Sequence, residues 1–337
     1  MTQALLYKKV NTQTVRCLVC MHHCCLKSNE TGKCGVRQNI NGRLITLNYG
    51  QAIALAIDPI EKKPLFHFLP GSQTFSFASP GCNFNCAFCQ NYKISQATKN
   101  GQQITKNVQK IKPDHIVLQA LKAHCLSIAY TYTEPTVFLE YALETMKLTH
   151  DAGLKNVWVS NGFMSPQTLN LILPYLDAIN VDLKSFSDNF YQKICGARLQ
   201  PVLDNLIMLK KTDIWLEITT LVIPGKNDNP KEISQLTKFI AERLGINIPW
   251  HVSRFYGQYQ MSDLENTTIN KIEQTIEIGH KNGLKFVYAG NIETENLENT
   301  YCPNCQQLLI KRKYYQLTRY DLNGQCPNCK KILPGLL

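Results

Sequence analysis

No apolar run in the 337 residues approaches the roughly 18 needed to cross a bilayer, and the opening MTQALLYKKV lacks the apolar stretch of a secretory signal. The expectation is a cytoplasmic protein with no membrane partner. Glycine and proline are also sparse, 18 and 15, which excludes a collagen-like or low-complexity chain. Hydrophobic residues make up 44%, enough for a buried core. At about 150 residues per domain, the length implies roughly two domains, or one large domain with appendages, and excludes a miniature disulfide-held scaffold.

Cysteine is what the chain has in excess. Without an export signal, its 14 cysteines are read as thiols or metal ligands before disulfides. Five lie at Cys17, Cys20, Cys24, Cys25 and Cys34, three at Cys82, Cys86 and Cys89, and four at Cys302, Cys305, Cys326 and Cys329. Cys125 and Cys195 stand alone in apolar stretches and are expected to act as small hydrophobes.

The net charge of +11 sits at the ends. Residues 1–40 and residues 301–337 each carry six Lys or Arg against one acid, and the middle has 24 basic and 23 acidic residues. Two readings compete. Cations such as Lys311, Arg312 and Lys313 would neutralise thiolate-bound metal, or the basic ends would form a nucleic-acid surface.

Between those ends, strand-like runs alternate with helical patterns, the order of parallel strands joined by helices. Strands are expected at 74–78, 126–131, 156–160, 178–183, 215–222, 250–255 and 285–288. Helices are expected after Pro113, from Pro135 to Gly153, and near 166–175, 187–211, 230–244 and 268–282. Six or seven β/α units fall short of eight, so the expected fold is α/β, a partial (β/α)6 TIM-like barrel with cysteine-rich segments at both ends. The divisions expected are 1–50, 51–290 and 291–337.

In such barrels the chemistry sits at the C-terminal strand ends. The first strand runs into GCNFNCAFCQN, where Cys82, Cys86 and Cys89 are three ligands for a cluster that ordinarily takes four. If all three bind one cubane, the fourth iron stays open for a ligand. A zinc knuckle, or a redox cluster completed by a distant cysteine, is the competing reading. Ser160 and Asn161 end the third strand, either to bind ribose or carboxylate groups or as a plain Asn-Gly turn. Asp182 and Lys184 end the fourth and share a side of it, facing the barrel mouth or pairing internally. His251 and Arg254 on the sixth are candidates for contact with substrate or a cofactor carboxylate. Glu61, Lys62 and Lys63 precede the barrel and could lid its mouth, although such a charged triplet is ordinarily solvated.

The three-cysteine loop, with Phe88 before its last cysteine, resembles the signature of the radical S-adenosylmethionine (SAM) superfamily. DPIEKKPLFHFLPG at 58–71, CQNYKISQ at 89–96, AYTYTEPT at 129–136, VSNG at 159–162, DLKSF at 182–186 and PWHVSRF at 249–255 further resemble the AmmeMemoRadiSam-system radical SAM enzyme, a family related to the activating enzymes of pyruvate formate-lyase. Met21 departs from that family, which has proline there. The resemblance implies a [4Fe-4S] cluster on Cys82, Cys86 and Cys89. It further implies SAM chelated at the open iron, reductive cleavage to a 5′-deoxyadenosyl radical, and hydrogen abstraction from substrate. It implies that Glu134 meets the methionine ammonium, that Val222 with its neighbours contacts adenine, and that Phe88 adds main-chain contacts. Flavodoxin or ferredoxin is the implied one-electron donor. The implied substrate is macromolecular, protein before RNA, such as a glycyl residue of a partner. Dioxygenase-like and AMMECR-type proteins are the implied partners.

CPNC at 302–305 and CPNC at 326–329 have the spacing of a four-thiolate zinc ribbon, with rubredoxin-like iron as the competitor. Leu308 to Ile310 and Tyr314-Tyr315 read as a small hairpin between them. Cys17, Cys20, Cys24 and Cys34 suggest a second structural site, zinc first and an iron-sulfur cluster second, with Cys25, His22 or His23 as replacements. A zinc-ribbon nucleic-acid binder, an RNA-modifying radical SAM enzyme and a pure electron carrier are the rival functions.

Overall fold

The apolar runs of the middle of the chain become the strands of one twisted sheet. A computed structural model describes residues 2–99, 108–313 and 315–335. Its parallel strands are β2 (Gln73–Ala78), β3 (Ser127–Tyr130), β4 (Lys155–Ser160), β5 (Ala178–Asp182), β6 (Trp215–Val222), β7 (Trp250–Arg254) and β8 (Val287–Gly290), hydrogen-bonded in sequence order. Beyond β2 lies the antiparallel β1 (Gln51–Pro59), and beyond that the two-residue strand Gln109–Lys110. Among the described residues this makes nine strands, of which β1 and Gln109–Lys110 had no expectation behind them.

Burial on both faces explains the composition. Val157, Trp158, Ile179 and Val181 are fully enclosed, as strands covered by helices on one side and core on the other must be. The crossovers carry α1 (Pro113–Lys122), α2 (Leu139–Asp151), α3 (Pro166–Ile172), α4 (Gln200–Lys210), α5 (Pro230–Phe239) and α6 (Ile269–Lys281). Their starts are written locally. Ser165 caps α3 by accepting from Thr168 N at 3.1 Å, Asn229 caps α5 by accepting from Lys231 N at 2.9 Å, and Thr268 caps α6 by accepting from Lys271 N at 3.3 Å. Proline follows two of those caps, where its missing N–H costs nothing.

The single helix expected over 187–211 is broken. Asp188–Phe190 runs into a wide π-type turn, Tyr191–Cys195, which stops at Gly196 with φ +70° before α4 begins. The break has a partner. The freed carbonyls of Ile194 and Cys195 accept from Ala87 N at 3.0 Å and Asn85 N at 2.8 Å, pinning the three-cysteine loop.

The ends fold into small antiparallel sheets. Tyr7–Lys9, Val15–Cys17 and Cys25–Leu26 form one, and Thr2–Gln3, Arg37–Ile40 and Arg43–Thr46 form another. Buried Arg37 binds Glu140 of α2 through both terminal nitrogens, at 3.0 and 2.6 Å, tying this segment to the helices. At the other end, Thr300–Tyr301, Leu308–Lys313 and Gln316–Arg319 make the expected hairpin with one added strand. Tyr314 of that expectation lies outside the described residues. Arg312 is not a neutralising surface cation. It is buried, and it donates to Phe66 O at 2.8 Å, Thr300 Oγ1 at 2.7 Å and Glu298 O at 3.0 Å.

Candidate active site

The C-terminal ends of β2 to β8 open into one cavity of about 450 Å³, within the range of small-molecule sites. After β2 the chain leaves regular structure, and Cys82, Cys86 and Cys89 all face this space. Burial raises the thiol pKa of Cys82 and Cys89. For Cys86 the first cause of a larger rise is a hydrogen bond with Cys195, and burial follows. Cys195 is fully buried behind the cavity lining, at the end of the π-type turn that holds the cysteine loop.

Glu134, just past β3, is buried and spans two strands. Its Oε1 accepts from Thr136 N at 3.1 Å and Ser160 Oγ at 2.9 Å, and its Oε2 accepts from Asn161 N at 2.8 Å. Thr136 Oγ1 donates to Oε1 as well. The three donors crowd Oε1, whereas Oε2 has a single donor for its two lone pairs and keeps one acceptor position. Burial raises the Glu134 pKa against those hydrogen bonds. Asn161 sits in the Asn-Gly turn and also donates through Nδ2 to Asn83 Oδ1 at 2.7 Å, fastening β4 to the cysteine loop.

Lys184 pairs with Asp182 at 2.9 Å, so the internal ion pair and the mouth-facing position hold together. Burial disfavours its charge, but Asp182, Cys86 and Cys195 outweigh burial and keep the ammonium protonated well above its usual range. Phe88 lies under that ammonium, 5.7 Å from it. His251 lines the cavity while its Nε2 meets buried Glu217 at 2.6 Å.

Strand parity splits two expected groups. Thr219 and Leu221 of β6 line the cavity, whereas Val222, the next residue, does not, so the segment expected at adenine reaches the cavity through Leu221. In β7, His251 and Ser253 face inward. Arg254 turns away, donating to Thr267 O at 2.7 Å and lying over Tyr256. The triplet assigned to solvent is the converse case. Glu61 and Lys63 are 4% and 1% exposed, and with Lys62 they line the cavity. Lys63 pairs with Asp58 at 2.7 Å, but burial prevails and lowers its pKa to about 8. Glu298, unmarked in the sequence, lines the mouth with its pKa raised by burial to about 7.

The residues fit a thiolate-bound cluster and a polar cofactor. Three thiols share the cavity with a protonated lysine, and Glu61 Oε2 and Thr219 Oγ1 are buried on its wall with no partner. Polar atoms enclosed that way are costly unless a ligand satisfies them.

The C-terminal quartet is a different kind of site. Its four sulfurs lie within 4.8 Å of one another, with Cys302 and Cys329 3.5 Å apart and Cys305 and Cys326 3.6 Å apart. That closeness suits one tetrahedral ion.

Comparison with known proteins agrees with this geometry. Residues 77–237 match the radical SAM superfamily. An uncharacterised protein of Methanocaldococcus jannaschii is 41% identical over 330 residues, covering 98% of this chain and 97% of its own. The pyruvate formate-lyase-activating enzyme of Listeria monocytogenes is 24% identical over 208 residues, 57% of this chain and 80% of that one. A radical SAM methyltransferase from Sphaerobacter thermophilus shares the fold, with a TM-score of 0.52 and 13% identity over 86% of this chain and 77% of its own. With three thiols at the cavity, the match over its core and a near end-to-end relative, this chain belongs to the radical SAM superfamily.

Proposed function

We propose that the protein is a radical SAM enzyme that takes a hydrogen atom from a partner protein, with a glycyl residue as the first candidate. The observation that carries this is the meeting of Cys82, Cys86, Cys89, Glu134, Asn161, Asp182 and Lys184 in one cavity. Cys82, Cys86 and Cys89 would hold a [4Fe-4S] cluster. When bound, it supplies the electron that breaks the C5′–S bond of SAM and yields a 5′-deoxyadenosyl radical.

The chain's own residues position and shield. The free acceptor position of Glu134 suits the methionine ammonium, held in place by Ser160, Thr136 and the Asn161 amide. Protonated Lys184 offsets thiolate charge beside Cys86. Phe66, Phe84, Phe88 and Leu221 supply apolar wall that limits water. Glu61, Lys62, Glu298 and Tyr315 form a polar rim toward the substrate.

The protein substrate is supported by the Listeria relative, named for activating pyruvate formate-lyase. The motifs resembling the AmmeMemoRadiSam-system enzyme support dioxygenase-like and AMMECR-type partners, and flavodoxin or ferredoxin as the electron donor. Zinc in the C-terminal quartet completes the reading, supported by the convergence of its four sulfurs.

Anaerobic reconstitution with iron and sulfide, then dithionite and SAM, tests the activity. The wild type is expected to release 5′-deoxyadenosine and the Cys86→Ala variant none. A fully loaded wild type that releases none overturns the proposal.

A further inference from the structure

Four clustered thiols lie outside the cavity. Cys17 ends a strand, Cys20 and Cys24 belong to the following turn, and Cys34 precedes Arg37; all four line one small internal void. Cys25, exposed in its strand, points elsewhere. His22 also lines the void, but its Nε2 donates to the Asn83 carbonyl at 2.9 Å. The quartet therefore offers four sulfurs first.

Their spacing separates them from the C-terminal quartet. A single zinc ion draws thiolates to about 2.3 Å from one point, leaving no space at the centre. The void between the N-terminal sulfurs has room at rest for about one water-sized sphere, so a cubane would have to spread the cysteine turns as it binds. Among the described residues, no group of His, Cys, Asp or Glu other than the C-terminal quartet brings three ligand atoms within 4.8 Å of one another. No three of the N-terminal sulfurs are therefore gathered on one point, which also holds for the Cys82 trio. A cubane asks for that, because its thiolates attach to separate iron corners.

A second observation points into the void. Arg37 lines it and is 2% exposed, and its Nε is a buried donor with no partner. The terminal nitrogens bind Glu140 and the Val137 carbonyl, so Nε is the one guanidinium nitrogen with no partner.

We propose that Cys17, Cys20, Cys24 and Cys34 bind a second [4Fe-4S] cluster, fully ligated by protein, with Arg37 Nε donating to it. This takes the iron-sulfur alternative of the sequence reading in place of zinc. The two cysteine loops touch. A Cβ at Gly81 would stand 3.0 Å from the Cys34 carbonyl, and Thr98 Oγ1 donates to that same oxygen at 3.1 Å. The site rests on the proposed function only in taking the Cys82 loop as the place of the other cluster.

The test is a metal count on the full chain, independent of activity. With Cys82, Cys86 and Cys89 all replaced by Ala, the anaerobically reconstituted protein is expected to keep about four iron and about four sulfide per chain, and to show an iron-sulfur EPR signal on reduction. Adding Cys17→Ala and Cys20→Ala removes that iron and leaves the C-terminal metal. Native mass spectrometry of the reconstituted wild type reads the same point without substitution, expecting about eight iron per chain. A wild type with about four iron, all lost with the loop cysteines, overturns the second cluster and leaves the cavity reading standing. So does a triple variant that carries an extra zinc ion in place of iron. A wild type with both clusters that never yields 5′-deoxyadenosine overturns the cavity reading and leaves this one standing.

Discussion

Glu134 ties two segments of the fold together while it faces the cavity, its carboxylate gathering donors from the turn after β3 and from the end of β4. Replacing an oxygen with an amide in Glu134→Gln sets N–H against one of those donors, and an unmet buried donor costs about 1–3 kcal/mol. Glu134→Gln is expected to lower stability by that amount in urea denaturation and to weaken SAM binding about tenfold, the effect of about 1.4 kcal/mol. Unchanged SAM affinity in equilibrium dialysis would remove Glu134 from the cofactor site. Glu134 was legible because Thr-Glu-Pro falls where a strand must end. Val222 and Arg254 were misjudged because strand parity depends on exact register, which one sequence leaves open by a residue. Glu61 and Lys63 were misjudged because a charged triplet ordinarily marks solvent, whereas here Lys63 pairs with Asp58 and Gly71 N donates to Glu61 Oε1 at 2.7 Å.

At the level of elements, the parallel strands were readable because both faces are buried and each strand reads as an apolar run. β1 was not, since Ala54 with φ +54° marks an irregular stretch that blurs its alternation. The N-terminal hairpin had an overlooked local sign: Asn41-Gly42, both left-handed, joins Arg37–Ile40 to Arg43–Thr46. A second Asn-Gly pair, Asn161-Gly162, stands at the cavity. Gly162 holds φ +71°, and a Cβ there would lie 2.8 Å from Val181 Cγ1. Gly162→Ala is expected to cost about 1–2 kcal/mol from backbone conformation alone, with more from the clash, and to displace Asn161 from Asn83. Thermal unfolding of the cluster-free protein measures the first effect and SAM binding the second. A fully stable variant would contradict the turn described here.

Across the whole molecule, the C-terminal ribbon is docked by a polar chain. Arg312 donates to Thr300 Oγ1, which lies 3.0 Å from the Tyr288 hydroxyl; that hydroxyl meets His67 Nε2 at 2.6 Å, and His67 Nδ1 donates to Pro334 O at 2.9 Å. A carbonyl only accepts, so the proton sits on Nδ1 and Nε2 accepts from Tyr288. Burial, the leading cause, lowers the His67 pKa from 6.5 to about 4. The unfolded chain takes its proton near 6.5, the folded chain only near 4, so stability falls as pH drops through that window. Urea midpoints of wild type and His67→Gln are expected to diverge less at pH 5 than at pH 7. Parallel losses in the two proteins would contradict a neutral buried His67. No helix among the described residues is long and apolar enough to cross a membrane, as the hydropathy of the sequence indicated.

The most direct measurement is Mössbauer spectroscopy of the iron-57 cluster on Cys82, Cys86 and Cys89, in a chain whose N-terminal quartet is replaced by Ala, before and after adding SAM. One iron of the cubane is predicted to shift on SAM addition, and the Cys195→Ala chain is predicted to behave identically. Four irons that ignore SAM, or a cluster that vanishes with Cys195, would contradict an open iron and the account built on it.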